Sequence, residues 1–401
     1  MKTIFCQIAA YRDPELVPTL RDLFAKAKHP ERLRVAICWQ KSPEESLFEF
    51  TNHPQIKIDP VLSTESRGCC WSRARVQSLY EDEDYTLQLD SHHRFVQNWD
   101  TDMLEMLALC PSEKPLLTGY IGSYDAEKGL HPCDPWKMKA KPFAKDGTLL
   151  CVPIKIPDFN SLTRPVPARF LSAHFIFTQG SWCREVPYDP NLFFHGEEPS
   201  LSARSYTHGY DLFHPHKIVA YHQYGREGRP KFWDDHVALK AKLDAISKAR
   251  VRVLFGMEDG SIDFGPYGFG TVRTLADYEA YAGIDFRNRR LHRETLDGAD
   301  PPCSMTDDWS KSYSVLLHWS SKDIELPEGT TYVHYFIDDA NGVGMWDHKA
   351  TEAEDFQCPL RADFDSCREP AYLIVWPHTA KGPGPKKYSL ALTRQIVYCA
   401  A

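Results

Sequence analysis

The stretch LQLDSHHRF, residues 87–95, is an apolar strand that ends abruptly in polar side chains. In an extended backbone, residues i and i+2 point the same way, so Asp90 and His92 can converge on one cation, with His93 facing outward. A carboxylate oxygen and an imidazole nitrogen suit a divalent ion such as Mn²⁺ that keeps open positions for phosphate oxygens. The stretch therefore predicts a metal site that also holds a phosphate-bearing substrate, and metal-assisted nucleotide-sugar chemistry is the hypothesis to test.

The residues around this stretch alternate between strand-like and helix-like patterns, which is typical of an α/β unit with a largely parallel sheet. Strands are predicted at residues 3–9, 34–39, 56–58 and 85–89, and helices at 14–28, 70–80 and 99–109. The apolar residues of two helices each share one face, which is expected to point inward: Leu16, Leu20, Leu23 and Phe24 in the first, and Trp99, Met103, Met106 and Leu107 in the third. Asp90 then lies at the carboxyl end of a strand, the edge where open α/β sheets bind ligands. Residues 130–167 show little periodicity and are expected to form a functional or mobile loop.

The pattern changes near residue 300. Before it, a strand is predicted at 169–178 and helices at 199–208 and 237–248, the last with Leu239, Leu243 and Ile246 on one side. After a linker-like segment at 299–308, runs rich in Val, Tyr, Trp and Thr follow. Period-two patterning between turn signals predicts an all-β, sandwich-like module there. We therefore expect a catalytic domain over residues 1–300 and a small accessory domain over residues 301–401.

Composition and charge exclude several classes of protein. A net charge of -8 argues against a nucleic-acid binder or a membrane-surface binder. No window offers about eighteen consecutive apolar residues, so a membrane span is not predicted. The opening MKTIFCQIAAYRDPE runs into charged residues without a small-residue cleavage site, which is typical of a buried first strand and not of a signal peptide. We expect a soluble chain.

The cysteines indicate a reducing compartment. All 12 are scattered without a C-x-x-C pair, and several, such as Cys38, lie inside apolar runs. This distribution favours free buried thiols in the cytoplasm over a disulfide framework, and it argues against a structural zinc site.

Two groups of residues near the predicted sheet edge could bind a nucleotide. Tyr11, Arg12 and Asp13 follow the first strand, where a ring can support a base or ribose and a carboxylate can bind hydroxyls, although such an Arg-Asp pair is more often a helix cap with a solvated cation. Three arginines surround the start of the helix predicted at 70–80, where guanidinium groups and the helix dipole favour a diphosphate. Arg67 and Arg75 fall at different helical phases, so at least one is expected on the surface.

Two further groups could complete a catalytic site. His222 ends a predicted strand before a Gly-containing turn, which suits a third metal ligand with Arg226 nearby for phosphate. Because the chain has 17 histidines, a satisfied core or surface histidine is the commoner alternative. Glu197 and Glu198 follow Gly196 and could hold an acceptor hydroxyl and take its proton. Acidic residues at a helix start are also favoured by the dipole alone, by about 0.3–1 kcal/mol.

Taken in order, five motifs resemble the hydroxyproline N-acetylglucosaminyltransferase-like glycosyltransferases. They are IAAYRDPE (8–15), SRG-x-x-W-x-RAR (66–75), LQLDSHHRF (87–95), FFHGEEPSLSAR (193–204) and AYHQYGR (220–226). Their order and spacing are also similar to the polypeptide N-acetylgalactosaminyltransferases. The resemblance covers about residues 1–290, and it implies an α/β, Rossmann-like nucleotide-sugar-binding domain of the GT-A fold that uses UDP-N-acetylglucosamine.

The resemblance also implies roles for single residues. Asp90, His92 and His222 would be ligands of Mn²⁺, or Mg²⁺, bridging the UDP diphosphate. Glu197 and Glu198 would lie beside the transferred sugar or the acceptor hydroxyl. The expected nucleotide-binding set is Tyr11, Arg12 and Asp13 near the uridine, Arg67 and Arg75 helping to hold the nucleotide, and Asp90, Ser91 and Arg226 beside the phosphates.

The predicted function is transfer of a sugar, N-acetylglucosamine in the first instance, from a UDP-sugar to a hydroxyl on a protein or glycan. Retention of anomeric configuration is expected because the related families retain it. Glu198 stands where the polypeptide N-acetylgalactosaminyltransferases have Asn, and the C-terminal module does not resemble their lectin domain. The acceptor is therefore left open.

Other functions use the same residues. A metal-dependent nucleotidyltransferase or hydrolase would release pyrophosphate or monophosphate in place of UDP, and a degenerate carbohydrate-binding or scaffold protein would bind without turnover. The C-terminal module could capture the acceptor, or it could serve packing or homo-oligomerisation. Its tryptophans, including Trp319, Trp346 and Trp376, could be core residues or platforms for a sugar. The core is expected, since aromatic residues dominate the interior of small sandwiches.

Overall fold

The computed structural model of the chain divides into two compact units. The first consists of Met1–Arg289 together with Glu294–Met305, and the second consists of Arg290–Arg293 together with Thr306–Ala401. It describes residues 2–225, 228–304, 306–317, 319, 322–351, 360–384, 387–392 and 396–399. We refer to the two parts as the N-terminal unit and the C-terminal unit.

The strands before residue 290 alternate with helices, as the sequence predicts. The strands are β1 Ile4–Tyr11, β2 Leu33–Lys41, β3 Ile56–Leu62, β4 Tyr85–Asp90, β5 His93–Phe95, β6 Pro115–Thr118, β7 Gly122–Asp125, β8 Gly129–Leu130, β9 Trp136–Ala140, β10 Cys151–Lys155, β11 Val166–Pro167, β12 Phe175–Gln179, β13 Asp211–His214, β14 Ala220–His222 and β15 Ile284–Asp285. The α-helices are α1 Leu16–Lys26, α2 Cys69–Gln77, α3 Trp99–Ala108, α4 Trp182–Glu185, α5 Glu197–Thr207, α6 Phe232–Asp235, α7 Val237–Leu254, α8 Leu275–Ala282 and α9 Arg293–Asp297.

One large mixed sheet organises the N-terminal unit. Its order is β11-β13-β6-β12-β4-β1-β2-β3, and the run from β4 to β3 is parallel while β12 runs antiparallel to β4 and β6. In this register Ala9 lies beside Asp90, so the carboxyl ends of β1 and β4 meet at one edge. The predicted α/β class is confirmed.

Helices cover the sheet through the faces that the sequence predicts. Leu16, Leu20 and Leu23 of α1 and Trp99 and Met103 of α3 are buried in one apolar cluster with residues of β1 and β4. Such burial stabilises by about 25 cal/mol per Å² of apolar surface. The sheet is therefore held rigidly behind the edge where Asp90 lies.

The apolar side of α7 is an exception. Leu239 and Ile246, predicted on one side of an amphipathic helix, are 36% and 46% exposed, whereas Ser247 and Val251 are buried. Ser247 is held by hydrogen bonds, accepting from the Phe193 backbone N–H and donating to the His195 carbonyl. The helix therefore packs against the unit through Ser247 and Val251, and Leu239 and Ile246 remain exposed.

A smaller sheet brings a distant segment to the same edge. Its order is β5-β14-β7-β8, and His222 of β14 pairs in register with His93 of β5, directly after the end of β4. The segment predicted to be irregular, residues 130–167, contains the hairpin of β9 and β10. Prediction missed that hairpin because its strands carry Lys and Pro.

The C-terminal unit is all-β, which confirms the predicted class. The strands are β16 Arg290–Leu291, β17 Lys311–Leu317, β18 Thr330–Asp338, β19 Gly344–Ala350, β20 Leu360–Ser366, β21 Tyr372–Thr379, β22 Gly382–Pro383, β23 Tyr388–Ala391 and β24 Ile396–Cys399. One sheet has the order β20-β17-β24; the other has the order β19-β18-β21-β22, with β23 also pairing with β21. Trp319 and Trp346 pack against the core as predicted, whereas Trp376 contacts His378 and Lys387.

Two further expectations can be compared with the described residues. The ten cysteines with described side chains are free, and Cys6, Cys38, Cys70, Cys110 and Cys183 among them are buried. In the same part of the chain, every helix is too short or too polar to cross a membrane.

Candidate active site

A cavity of about 370 Å³ opens at the sheet edge where β1 and β4 end. Ala9 and Tyr11 of β1, Asp90 of β4 and His222 of β14 lie on its wall. Parallel strands that end together leave their last side chains pointing into one crevice, which is where open α/β sheets bind ligands. The predicted ligand edge is therefore the one that carries the cavity.

Three side chains on this wall can hold a metal ion. One ligand atom from each of Asp90, His92 and His222 lies within 4.8 Å of the others. Oδ2 of Asp90 is 3.2 Å from Nε2 of His222 and 3.8 Å from Nε2 of His92. Nε2 of His92 is buried and has no hydrogen-bond partner among the described residues. An orphaned buried nitrogen facing a carboxylate and a second imidazole fits a divalent cation, and this donor set suits Mn²⁺.

The protonation states also fit metal binding. Burial lowers the pKa of His222 to about 3, so its ring is neutral at physiological pH. Burial opposes ionisation of Asp90, but Arg73 and His222 outweigh it and hold the pKa of this carboxyl well below its usual value. A metal requires an ionised carboxylate and a neutral imidazole, and Asp90 and His222 are in these states. The Nε2 hydrogen that His222 donates to Asp90 would have to move to Nδ1, which has no hydrogen-bond partner among the described residues, when Nε2 binds a metal.

His93 is a correction to the sequence analysis. It does not face outward but is completely buried, with Nδ1 3.0 Å from the Asp90 carbonyl oxygen. Its ring centroid lies 5.0 Å from that of His222, which in turn lies 4.6 Å from His174 and 4.3 Å from Tyr224. Beyond β4 the chain bends before β5, so the alternation of side chains does not continue through residue 93.

Arg73 is the central residue that sequence reasoning did not single out. Its buried guanidinium donates to Asp90 Oδ1 at 2.5 Å and to Glu197 Oε1 at 2.7 Å. It also donates to the Ala173 carbonyl and the Tyr188 hydroxyl. A signal was present in the sequence, because residues 70, 73, 76 and 77 share the inward face of α2, and an arginine on such a face needs acidic partners.

The two arginines that were expected to hold the nucleotide lie elsewhere. Arg67 is exposed, and Arg75 forms a bidentate pair with Asp59 and stacks over Trp71. Neither of them lines the cavity. Residue 75 is about 200° around the helix from residue 73, so only one of the two can face the ligand edge.

Tyr11, Arg12 and Asp13 make contacts that the sequence does not reveal. Tyr11 Oη and Arg12 Nη1 donate to the same carboxylate oxygen of Asp235, at 2.6 and 2.7 Å. Asp13 accepts from Ser91 Oγ at 2.7 Å and lies beside His92. Tyr11, Asp13 and Ser91 line the cavity, whereas Arg12 does not.

Glu197 and Glu198 also line the cavity. Gly196 precedes them at φ +91°, where an added Cβ would overlap Val251, so only glycine fits this turn. Glu198 Oε1 accepts from Ser172 Oγ and from the Ala173 N–H, both at 3.0 Å. Burial raises the pKa of Glu197, and it raises the pKa of Glu198 to about 7. Glu198 can therefore exchange a proton near neutral pH.

Arg226 lies outside the described residues, but a second arginine is present three positions later. Arg229 lines the cavity, and its Nη2 donates to the Gly225 carbonyl at 2.8 Å. Its Nε is buried without a hydrogen-bond partner in the described part of the chain. Arg229 therefore offers a positive charge on the same wall as His222.

The comparisons with known proteins concern the N-terminal unit. A family model described as "Glycosyltransferase (GlcNAc)" matches residues 3–53 and 46–288. No curated protein is significantly similar to the chain.

Two solved structures are similar to part of the chain. GalNAc-T7, crystallised with UDP, GalNAc and Mn²⁺, is 14% identical with a TM-score of 0.47, and the match covers 69% of this chain and 54% of that one. S. aureus TarS 1-349, in complex with UDP-GlcNAc, is 15% identical with a TM-score of 0.39 and coverages of 63% and 73%. The chain thus spans about half the length of the GalNAc-T7 chain.

Proposed function

The chain belongs to the glycosyltransferase (GlcNAc) family, and from that premise we propose that it transfers N-acetylglucosamine from UDP-N-acetylglucosamine to a hydroxyl on a protein or glycan. The proposal includes dependence on Mn²⁺ and retention of the anomeric configuration. The observation that carries it is the convergence of Asp90, His92 and His222 at the carboxyl edge of the sheet.

The metal would be held by Oδ2 of Asp90 and the Nε2 atoms of His92 and His222. When bound there, a divalent ion supplies positive charge against a leaving diphosphate. Arg229 adds a second positive charge on the same wall. The protein thereby lowers the cost of the negative charge that develops as the bond to the sugar breaks.

The remaining residues position the two substrates. Tyr11, Ser91, Glu197 and Glu198 all line the cavity. In this proposal Tyr11 and Ser91 contact the nucleotide. Glu197 is fixed by Arg73, whereas Glu198 contacts uncharged donors and titrates near neutrality. We propose that Glu198 holds the acceptor hydroxyl and takes its proton, and that Glu197 orients Arg73 and the sugar.

The test is release of UDP from a panel of nucleotide sugars in the presence of Mn²⁺, with and without candidate acceptors. UDP-N-acetylglucosamine should be the preferred donor, and EDTA should abolish release. Asp90→Ala should also abolish it, whereas Asp84→Ala, which removes a carboxylate that accepts hydrogen bonds from Thr3, should not. Full activity in EDTA contradicts the metal role, and release of pyrophosphate or monophosphate contradicts sugar transfer.

A further inference from the structure

The carboxylate of Asp13 is buried against a candidate metal ligand. Its Oδ2 lies 2.6 Å from Nδ1 of His92 and accepts from Ser91 Oγ at 2.7 Å. Its Oδ1 accepts from the backbone N–H of Glu15 at 2.9 Å. The side chain is only 7% exposed, so these partners, and not water, satisfy it.

This contact decides how the His92 ring is used. An ionised carboxylate only accepts hydrogen bonds, so Nδ1 of a neutral His92 ring carries the hydrogen. The lone pair is then on Nε2, a buried atom that has no hydrogen-bond partner within the described part of the chain and lies 3.8 Å from Asp90 Oδ2. Asp13 thus fixes both the tautomer and the rotation of the ring that would bind the cation.

The same contacts leave little of Asp13 for a nucleotide. Both carboxylate oxygens already accept hydrogen bonds, and Arg229 Nη1 lies 3.4 Å from Oδ2 as well. A ribose hydroxyl would have to displace one of these donors. The role expected from the family resemblance, a contact with the uridine, is therefore not the one that the geometry favours.

We infer that Asp13 is a positioning residue for the metal, forming a carboxylate–histidine–metal arrangement with His92. This inference rests on the proposed function, because it presupposes that Asp90, His92 and His222 bind a cation. Residues that orient a ligating histidine in this way typically change metal affinity by roughly 10- to 100-fold when they are replaced.

The experiment measures Mn²⁺ binding to the full chain by the EPR signal of free Mn²⁺, without nucleotide, and UDP binding separately at saturating Mn²⁺. Asp13→Asn should weaken Mn²⁺ binding roughly 10- to 100-fold and leave the UDP dissociation constant at saturating Mn²⁺ essentially unchanged. Asp100→Asn is the matched control, since this completely buried carboxylate binds the backbone N–H groups of Lys28 and His29. It should leave both constants unchanged.

Several outcomes would overturn the inference. Unchanged Mn²⁺ binding in Asp13→Asn overturns it. Weaker UDP binding by the same variant at saturating Mn²⁺ also overturns it, because Asp13 would then contact the nucleotide. If Asp13→Asn does not fold, Ser91→Ala, which loosens the Asp13 carboxylate without removing it, should weaken Mn²⁺ binding; an unchanged constant overturns the inference. Absence of Mn²⁺ binding by the wild-type chain overturns the metal role itself, and that result is distinct because it appears before any variant is compared.

Discussion

Nη2 of Arg73 lies 2.5 Å from Oδ1 of Asp90, so a buried arginine occupies one oxygen of the carboxylate whose other oxygen faces His222. The same guanidinium holds Glu197. Arg73 is only 4% exposed and Glu197 6%, whereas Asp90 is 18% exposed and lines the cavity. One cation thus links the candidate metal site to the candidate acceptor wall.

Removing the Arg73 guanidinium should destabilise the protein strongly. Arg73→Gln leaves the buried Glu197 and the partly buried Asp90 without this guanidinium, and breaking a buried ion pair typically costs about 3–5 kcal/mol. Arg75→Gln, two residues away, breaks a pair whose arginine is 40% exposed and should cost at most about 1 kcal/mol. Urea unfolding of the two variants checks this, and equal losses would contradict the central role of Arg73.

The stability of the protein should fall as pH rises through the titration of Glu198. Its pKa is about 7 in the folded chain against 4.5 for a free carboxyl, so the folded state binds the proton more tightly. Stability is lost between about pH 4.5 and 7, on the order of 3 kcal/mol in total. Ionisable groups that influence Glu198 or respond to its charge are Arg73, Tyr120, Cys151, Glu197 and Tyr224.

Glu198→Gln isolates this effect, because glutamine keeps an oxygen for Ser172 and Ala173 but does not titrate. The stability difference between variant and wild type should grow in favour of the variant from about pH 4.5 to 7 and level off above that. Unfolding measured across this range in both proteins provides the test. A difference that stays constant with pH would show that Glu198 titrates near its ordinary value.

The same carboxyl should shape the pH dependence of transfer. If ionised Glu198 takes the acceptor proton, kcat/KM should rise with pH through about 7. Glu198→Gln should lose roughly 10²–10⁴-fold in rate and retain no rise at that pH. An unchanged profile in the variant would assign the proton transfer to another group.

Gly68 should tolerate no side chain. It lies at φ +101°, and an added Cβ would overlap the ring of Phe193, which also lines the cavity. Gly68→Ala therefore adds about 1–3 kcal/mol of overpacking to the strain of the backbone, and it should raise the KM for the donor. Gly129→Ala is the control, since φ is +87° there but nothing lies within 4 Å of the added carbon.

Residues 299–303 are joined to the N-terminal unit by hydrogen bonds. Arg169, 2% exposed, donates to the carbonyls of Tyr281, Ala299 and Asp300, and the N–H of Cys303 donates to Tyr281. A chain ending at residue 304 should keep UDP-sugar hydrolysis, whereas one ending at residue 293 should unfold at lower urea. If the chain ending at residue 304 still hydrolyses the UDP-sugar but no longer transfers the sugar to the acceptor, the C-terminal unit recognises the acceptor.

Local patterns predicted much of the fold. The inward faces of α1 and α3 follow from helical periodicity, and the edge position of Asp90 follows from the apolar strand before it. The hairpin of β9 and β10 was missed because tertiary packing, not propensity, holds it. Helix α7 has an apolar face with Leu239 and Ile246, but it packs through the face with Ser247 and Val251. Periodicity shows that a helix has an apolar face and does not show which element packs against the helix.

The candidate site was predictable only where its residues lie close in sequence or belong to a family motif. Asp90 and His92 are two residues apart, so their convergence could be expected. The contact between Tyr11 and Asp235 spans 224 residues, and no local pattern encodes it. Arg73 was overlooked among three arginines because its partners, Asp90 and Glu197, come from different parts of the chain.

His222 enters the site from the small sheet, whereas Asp90 ends a strand of the large one, 132 residues earlier in the chain. A metal ion bound by both residues would cross-link the two sheets. At a free concentration [L], it would stabilise the folded chain by RT ln(1 + [L]/Kd), which is about 2.7 kcal/mol at a hundredfold excess over Kd. Heat or urea would then release the metal in the same step that separates the sheets. The melting temperature, measured as a function of Mn²⁺ concentration, would therefore report how strongly the metal stabilises the contact between the two sheets.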